Sequence, residues 1–281
     1  PYVYRGAIAP SALNAGRAVV DPGLPFWLQA RFAGDLSAID DVLQRQLTTS
    51  VPPVTALLAW AGAIDPWRNA GRAESPQIAM TVQGSIYVDA NDKALRKLVW
   101  FFAHERVHHH QNQPGVALAP WALEGGADAM ATNVVAAIGL LTPEQRAARF
   151  VDVQRACAAD LNRLPAPHDV NGSAGSIAYG CGELVADVTR AIVDDHDLVA
   201  FWERLLHTAQ AQGAHVDASF YAFVLQREGH ADAAKHLEAF LTTHPDDGKR
   251  AVVSLLTSTM PHVVVQDDGW AIARVENDKR P

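Results

Sequence analysis

His104-Glu105-Arg106-Val107-His108 is the most informative segment of the sequence. His104 and His108 stand four positions apart, so a helix places their imidazoles on one face, one turn from each other. Two imidazoles at that spacing can bind a single metal ion. Glu105 lies about 100° around the helix from His104 and can reach a water molecule beside such an ion without being a ligand itself.

The residues around this motif are less specific. His109 and His110 follow directly, but they point to other faces of the helix. We therefore expect them to be surface, supporting or substrate-facing groups rather than ligands. Arg106 adds a cation to the metal helix. A chance pair of histidines at a solvated helix end would have the same sequence pattern, so a third ligand is needed to favour a metal site.

The next predicted helix supplies that third candidate. Glu124 and Asp128 follow Trp121 and are again four positions apart, on a helix whose other face is apolar. Carboxylates on an apolar helix are costly unless they have partners. A zinc ion would satisfy Glu124, and an imidazole N–H of a liganding histidine would satisfy Asp128. The glycines Gly125 and Gly126 inside this helix favour a close approach of two helices. The alternative is an amphipathic helix with two incidental acids.

Length and composition exclude several classes of protein. The chain has 281 residues, with 23 Lys and Arg against 31 Asp and Glu, so its formal net charge is −8. This acidic balance argues against nucleic-acid binding, which needs a basic surface. The longest apolar run, 134–141, is too short to span a bilayer, so we expect no membrane span. An apolar fraction of 49% is ample for a core, and we expect one compact unit.

Hydrophobic periodicity predicts a mixed N-terminal part followed by a helical remainder. Before residue 92 it predicts a helix over 35–49, strands over 54–60 and 77–88, and a loop over 65–76. From residue 92 onward it predicts a loop over 165–176, a small hairpin over 263–275, and helices at 92–113, 120–139, 142–164, 177–194, 198–212, 217–227 and 231–243.

The two cysteines, Cys157 and Cys181, are too far apart in sequence for a Cys-x-x-Cys site. They are either two unrelated buried thiols or one disulfide of an exported protein. Such a disulfide would stabilise the folded state by about 3 kcal/mol in the chain-entropy model. Composition does not decide between free thiols and a disulfide. The sequence begins at Pro1 without a signal-peptide pattern, which fits a mature exported chain or a trimmed one.

Together, the His-Glu-x-x-His stretch and the helix that follows it resemble the gluzincin metallopeptidases. This clan contains the thermolysin-like proteases and the one-zinc aminopeptidases, and the glycyl aminopeptidase-like branch is the most similar. The resemblance covers residues 98–133. It implies one zinc ion bound by His104, His108 and Glu124, with Glu105 as the general base. It also implies that Asp128 supports a ligand imidazole.

The resemblance implies further site features. These enzymes place a tyrosine or histidine where it stabilises the oxyanion, and Tyr179 is the candidate here, with His168 as a weaker one. An edge strand of these enzymes pairs with the extended substrate, a role that we expect for 78–82 or 85–88. A Gly-x-Met-Glu-Asn segment holds the substrate's free amine in the aminopeptidases. It is absent near 83–87, so aminopeptidase specificity is not implied.

The fold that the resemblance implies is α+β. A small N-terminal mixed β-sheet part, 1–91, packs on a mainly α-helical metallopeptidase domain, 92–281, with the active-site cleft between them. The expected activity is zinc-dependent hydrolysis of a peptide or protein substrate. The alternative is a catalytically silent, zinc-containing, peptidase-like binding protein. Because many stand-alone members are exported, a Cys157–Cys181 disulfide and a periplasmic or secreted location are expected. No oligomeric state is implied.

Overall fold

The structure, a computed structural model, describes residues 8–14, 16–46, 53–74, 76–193, 197–260, 262–266 and 269–273. It is α+β, as expected, with a small mixed sheet near the N-terminus and mainly helices after it. Contacts group the chain into two compact units, Pro1–Gln113 with Met130–Leu141 and Pro114–Ala129 with Thr142–Pro281. The domain boundary predicted between residues 91 and 92 stays a prediction.

The first unit contains a five-stranded sheet. Its strands are Ser11–Leu13 (β1), Gly16–Val20 (β2), Val54–Trp60 (β3), Arg68–Glu74 (β4) and Gln77–Gln83 (β5). They lie in the order β1-β2-β3-β5-β4, and β2, β3 and β5 run parallel. β1 and β4 are antiparallel to their neighbours. Within the described residues, β4 has no strand on its outer side and is an edge of the sheet.

The edge of the sheet corrects two sequence predictions. The predicted loop over 65–76 is mostly β4, whose small and polar residues hide the apolar alternation that marks a half-buried strand. The predicted strand over 77–88 ends at Gln83, where Gly84, with φ of 128°, leads into a 3₁₀ turn at Ser85–Tyr87. The expected edge strand over 78–82 or 85–88 is therefore wrong, since β5 lies between β3 and β4 and the second segment is a turn.

Two long helices complete the first unit. Phe26–Gln46 (α1) begins before the predicted residue 35, and Asp92–Gln111 (α2) carries the His-Glu-x-x-His stretch. The side chain of Asn91 caps α2 by accepting a hydrogen bond of 2.8 Å from the Ala94 N–H. Phe32 of α1 packs edge-on against Phe102 of α2, with ring centres 4.8 Å apart.

The remaining elements are mostly helices, as predicted. They are Ala117–Leu118 (β6), Pro120–Ala137 (α3), Pro143–Leu161 (α4), Ser176–Ile192 (α5), Leu198–Gln212 (α6), His215–Val216 (β7), Ala218–Arg227 (α7), Ala231–Thr242 (α8), Gly248–Thr259 (α9), Val263–Val265 (β8) and Ala271–Ala273 (β9). β8 and β9 form the predicted hairpin. α9 is absent from the sequence prediction, although Val252, Leu255 and Leu256 give it an apolar face at helical spacing. None of the helices in the described ranges has both the length and the apolar character needed to cross a bilayer.

In the second unit, α5 is fixed to its neighbours by two features. The expected disulfide between Cys157 of α4 and Cys181 of α5 is present, and both residues are fully buried. Next to it, Gly182 of α5 lies against Gly125 of α3. A Cβ on Gly182 would stand only 2.9 Å from the Gly125 Cα, so the two backbones meet with no side chain between them.

Candidate metal centre

The second half of α2 lies in the protein interior. Every residue from Phe101 to Gln111 is buried. This burial excludes the alternative that the motif is a chance pair of histidines on a solvated helix end. The same burial contradicts a surface position for His109 and His110, whereas the expected supporting or substrate-facing roles stay predictions. A buried run of polar side chains is costly unless each has a partner.

His108 is held in the tautomer that a metal ligand needs. Its Nδ1 lies 2.8 Å from Oε1 of Gln111, an acceptor, so Nδ1 carries the proton and Nε2 keeps its lone pair. That Nε2 lies 3.0 Å from Nε2 of His104. Two nitrogens bound to one tetrahedral zinc ion at 2.0–2.1 Å stand about 3.3 Å apart, close to this separation. The two rings therefore present their nitrogens to a shared point.

Glu124 of α3 completes a group of three. The ligand atoms of His104, His108 and Glu124 all lie within 4.8 Å of one another. Two imidazole nitrogens and one carboxylate oxygen are the donor set of catalytic zinc sites, which leave a fourth position open. The side chains that the sequence predicted as ligands therefore fit a zinc ion.

Glu105 lies against the backbone of β4. Its side chain is buried, and a Cβ placed on Gly71 would be 2.7 Å from the Glu105 Cγ and closer still to its carboxylate. The candidate base thus lies directly beside the edge strand of the sheet.

Arg106 forms a buried ion pair with a residue of α1. Its Nε donates to Oδ1 of Asp40 on α1 at 2.6 Å, and both side chains are almost fully buried. Burial raises the pKa of Asp40, and the nearby guanidinium of Arg106 opposes that rise. The cation in the motif therefore pairs with an acid of α1.

The two following histidines have pKa values below the ordinary value for histidine. Nε2 of His109 donates to the Gln77 carbonyl at 3.2 Å, and burial lowers the pKa of His109. Burial also lowers the pKa of His110 to about 3. Burial therefore disfavours a positive charge on either ring.

Tyr179 lies in the first turn of α5 and is 41% exposed. One turn later, Gly182 packs against Gly125, the neighbour of Glu124 in sequence. α5 is therefore fixed against the part of α3 that carries the candidate ligand. His168 is exposed in the loop before α5. The oxyanion roles of Tyr179 and His168 stay predictions.

Asp128 is buried in a group of charged side chains. Arg149 of α4 forms a two-bond ion pair with Glu183 of α5, at 2.7 and 2.8 Å. Burial raises the pKa of Glu183 to about 8, with Asp128 and Asp187 adding to the rise and Arg149 opposing it. The predicted contact between Asp128 and a ligand imidazole stays a prediction.

Sequence reasoning missed β4 and the partner of His108. Gly71 and Glu74 on β4 keep the glycine and the glutamate of the Gly-x-Met-Glu-Asn segment at the same spacing. The sequence resemblance places this segment near 83–87, whereas the edge of the sheet lies at 68–74. Gln111 is three positions after His108, a spacing at which helical side chains meet, so it could have been found from the sequence.

Three solved structures share this architecture. An aminopeptidase N family protein from Idiomarina loihiensis has a TM-score of 0.65 and 12% identity, over 94% of this chain and 51% of that one. An M1 zinc metallopeptidase from Deinococcus radiodurans has a TM-score of 0.51 and 17% identity, over 85% and 52%. A two-domain M1 zinc metallopeptidase mutant bound to L-arginine has a TM-score of 0.50 and 18% identity, over 85% and 52%.

The fold is similar to that of these zinc metallopeptidases. At these identities the likeness shows the M1-type fold alone, and this chain spans about half the length of each of the three proteins. The sequence matches no protein-family model and no curated protein.

Proposed function

We propose that this protein is a zinc-dependent metallopeptidase with one zinc ion per chain. His104, His108 and Glu124 are the ligands, and Glu105 is the general base. The observation that carries the proposal is the convergence of three ligand atoms within 4.8 Å, next to a buried glutamate on the same helix as two of them. The M1-type fold supports it.

The reaction assigns each side chain a task. Zinc in such a donor set supplies Lewis-acid polarisation of the carbonyl and lowers the pKa of a water to about 7. Glu105 accepts a proton from the attacking water and donates it to the leaving amine. Tyr179 donates a hydrogen bond to the developing oxyanion. Asp128 supports a ligand imidazole.

The free edge of β4 binds the substrate in this proposal. An extended peptide main chain can add to an unpaired strand edge, and alternate side chains then face the same way. The outer side of β4 provides such an edge in the described part of the sheet. In this arrangement the scissile bond lies beside Glu105, because the Glu105 side chain lies against Gly71, which belongs to β4.

Aminopeptidase activity is the more specific candidate. The spacing of Gly71 and Glu74 on β4 favours it, because a carboxylate on the substrate-binding edge can bind a free α-amine. Glu74 pairs with Arg72, which an incoming ammonium group would replace. Peptides with a free N-terminus should be cleaved faster than their N-acetylated forms, and Glu74→Gln should remove the preference. Equal rates on both would instead indicate an endopeptidase.

One structural feature favours a cellular location for the protein, and another argues against the alternative function. The Cys157–Cys181 disulfide favours a periplasmic or secreted protein, because disulfides persist in oxidising compartments. A catalytically silent zinc-binding protein is the alternative, and the buried Glu105 argues against it, since a structural zinc needs no base.

Substitution of Glu105 tests the proposal. The purified protein should contain one zinc per chain and cleave members of a peptide library, whereas Glu105→Gln should keep the zinc and lose cleavage. Glu238→Gln on α8 is the matched control and should behave like the unchanged protein. Bound zinc without turnover of any peptide would favour the silent alternative. Absence of zinc would overturn both.

A further inference from the structure

Gly71 is a glycine for a steric reason. Its φ lies outside the left-handed region, so any residue could adopt its backbone conformation. A Cβ at this position, however, would overlap the Glu105 side chain, at 2.7 Å from Cγ and less from Cδ and Oε1. The Glu105 carboxylate occupies the space that any other residue in this position would fill.

The strand itself is not free to move aside. Gly71 is paired with Met80 of β5, and β5 is paired in turn with β3. Asn69, two positions earlier on β4, accepts a hydrogen bond of 3.0 Å from the hydroxyl of the buried Tyr87. The sheet therefore holds the Gly71 backbone in place.

The segment that contains β4 contacts α2 at two points along its length. Lys97 Nζ lies 3.7 Å from the centre of the Trp67 ring, and Glu105 lies against Gly71. From Lys97 to Glu105 a helix advances about 12 Å, and from Trp67 to Gly71 a strand advances about 13 Å. The two elements thus run side by side, with Gly71 opposite Glu105.

We propose that Gly71 is a positioning residue for Glu105: the missing side chain leaves the carboxylate its place beside the ligand set. A methyl group at this position would move the flexible Glu105 side chain and not the backbone of β4. The proposal deepens the proposed function and rests on it only in naming Glu105 as the base. A displacement of about 1 Å at a reacting group costs on the order of 100-fold in rate.

Kinetics of Gly71→Ala test the catalytic consequence. The variant should keep one zinc per chain and lose about 100-fold in kcat, with KM changed by less than about threefold, because the carboxylate is displaced rather than the substrate. Gly34→Ala on α1 is the matched control, since among the described residues no atom outside its own stretch of helix lies within 4 Å of its added methyl group. In a Glu105→Asp background, whose carboxylate is one methylene shorter, the same substitution should cost less than about fivefold. A rise in KM alone, or an equal loss in both backgrounds, would overturn the proposal.

Thermal unfolding tests the same contact without activity. Gly71→Ala should lower Tm by about 2–4 °C when Glu105 is present and by less than about 1 °C in a Glu105→Ala background, where nothing occupies the space. Equal shifts in the two backgrounds would overturn the proposal. If the unchanged protein cleaves no peptide, the proposed function fails, but this comparison of Tm still decides whether Gly71 positions Glu105. If Gly71→Ala does not fold, folding of the double variant with Glu105→Ala supports the proposal, and failure of both overturns it.

Discussion

The Arg106 guanidinium of α2 lies 2.6 Å from the Asp40 carboxylate of α1, and both side chains are buried. This ion pair joins the helix that carries the candidate ligands to the helix packed beside it. It offsets the positive charge that Arg106 brings into the His-Glu-x-x-His stretch.

Removal of Arg106 should strongly destabilise the protein. Arg106→Met leaves Asp40 as an uncompensated buried charge, so the free energy of unfolding should fall by about 3–5 kcal/mol in urea titrations. Arg106→Met combined with Asp40→Asn should recover much of that loss. Arg31→Met, which breaks the exposed pair with Asp35, should cost less than about 1 kcal/mol. Similar losses for the two arginines would contradict the prediction.

Gln111 should control zinc affinity without touching the ion. Gln111→Ala removes the acceptor that keeps the His108 proton on Nδ1, so the zinc dissociation constant should rise about 10–100-fold in competition with a chelator. Gln111→Glu keeps an acceptor oxygen at the same distance along the side chain and should retain most of the affinity. Unchanged affinity in the alanine variant would contradict this role.

The crossing of α3 and α5 should not tolerate a side chain. In Gly125→Ala the added methyl group meets the Gly182 backbone, so the free energy of unfolding should fall by about 3 kcal/mol. The same substitution at Gly34 meets no atom of another described segment within 4 Å and should be neutral or stabilising by up to about 1 kcal/mol. Denaturant unfolding of the two variants provides the comparison, and equal stability would be the contrary result.

Glu183 should make the protein less stable as pH rises. Its folded pKa of about 8 lies above its ordinary 4.5, so its contribution is fully present below pH 4.5 and is lost as pH rises through 8. In Glu183→Gln the decrease in unfolding free energy between pH 5 and pH 8 should be smaller. Urea unfolding at several pH values measures the two slopes. A variant that follows the unchanged protein would disprove the assignment.

The disulfide should contribute measurable stability. Its two cysteines are 24 positions apart, and closing a loop of that size contributes about 3 kcal/mol in the chain-entropy model. Cys157→Ala with Cys181→Ala should lose about that amount in denaturant unfolding. Reductant should destabilise the unchanged protein equally and leave the double variant unaffected. A reductant effect on the double variant would point to another cause.

The helical part of the fold could be predicted from the sequence because its signals are local. α2 and α3 have an apolar face at helical spacing, and Thr142 and Gln145 form the capping box that opens α4. β4 could not be found in this way. One side of the strand is an edge, so its burial depends on α2 and β5, which are distant in sequence.

The residues of the candidate site also differ in whether local sequence signals predict them. The candidate ligands His104, His108 and Glu124 can be predicted from the sequence, because the two histidines have the spacing of one helix face and Glu124 lies in the next helix. The partner of Arg106 is Asp40, 66 positions away, and no local pattern announces it. The need for glycine at position 71 likewise arises from Glu105, which belongs to another element.

The side-by-side course of β4 and α2 has an evolutionary consequence. Successive strand residues face opposite ways, so inserting or deleting a single residue in β4 would turn Ala70 or Arg72 toward Glu105. Both carry a Cβ where only a glycine fits. Homologues that keep this base should therefore show insertions and deletions in the turns on either side of the strand, and a constant strand length between them.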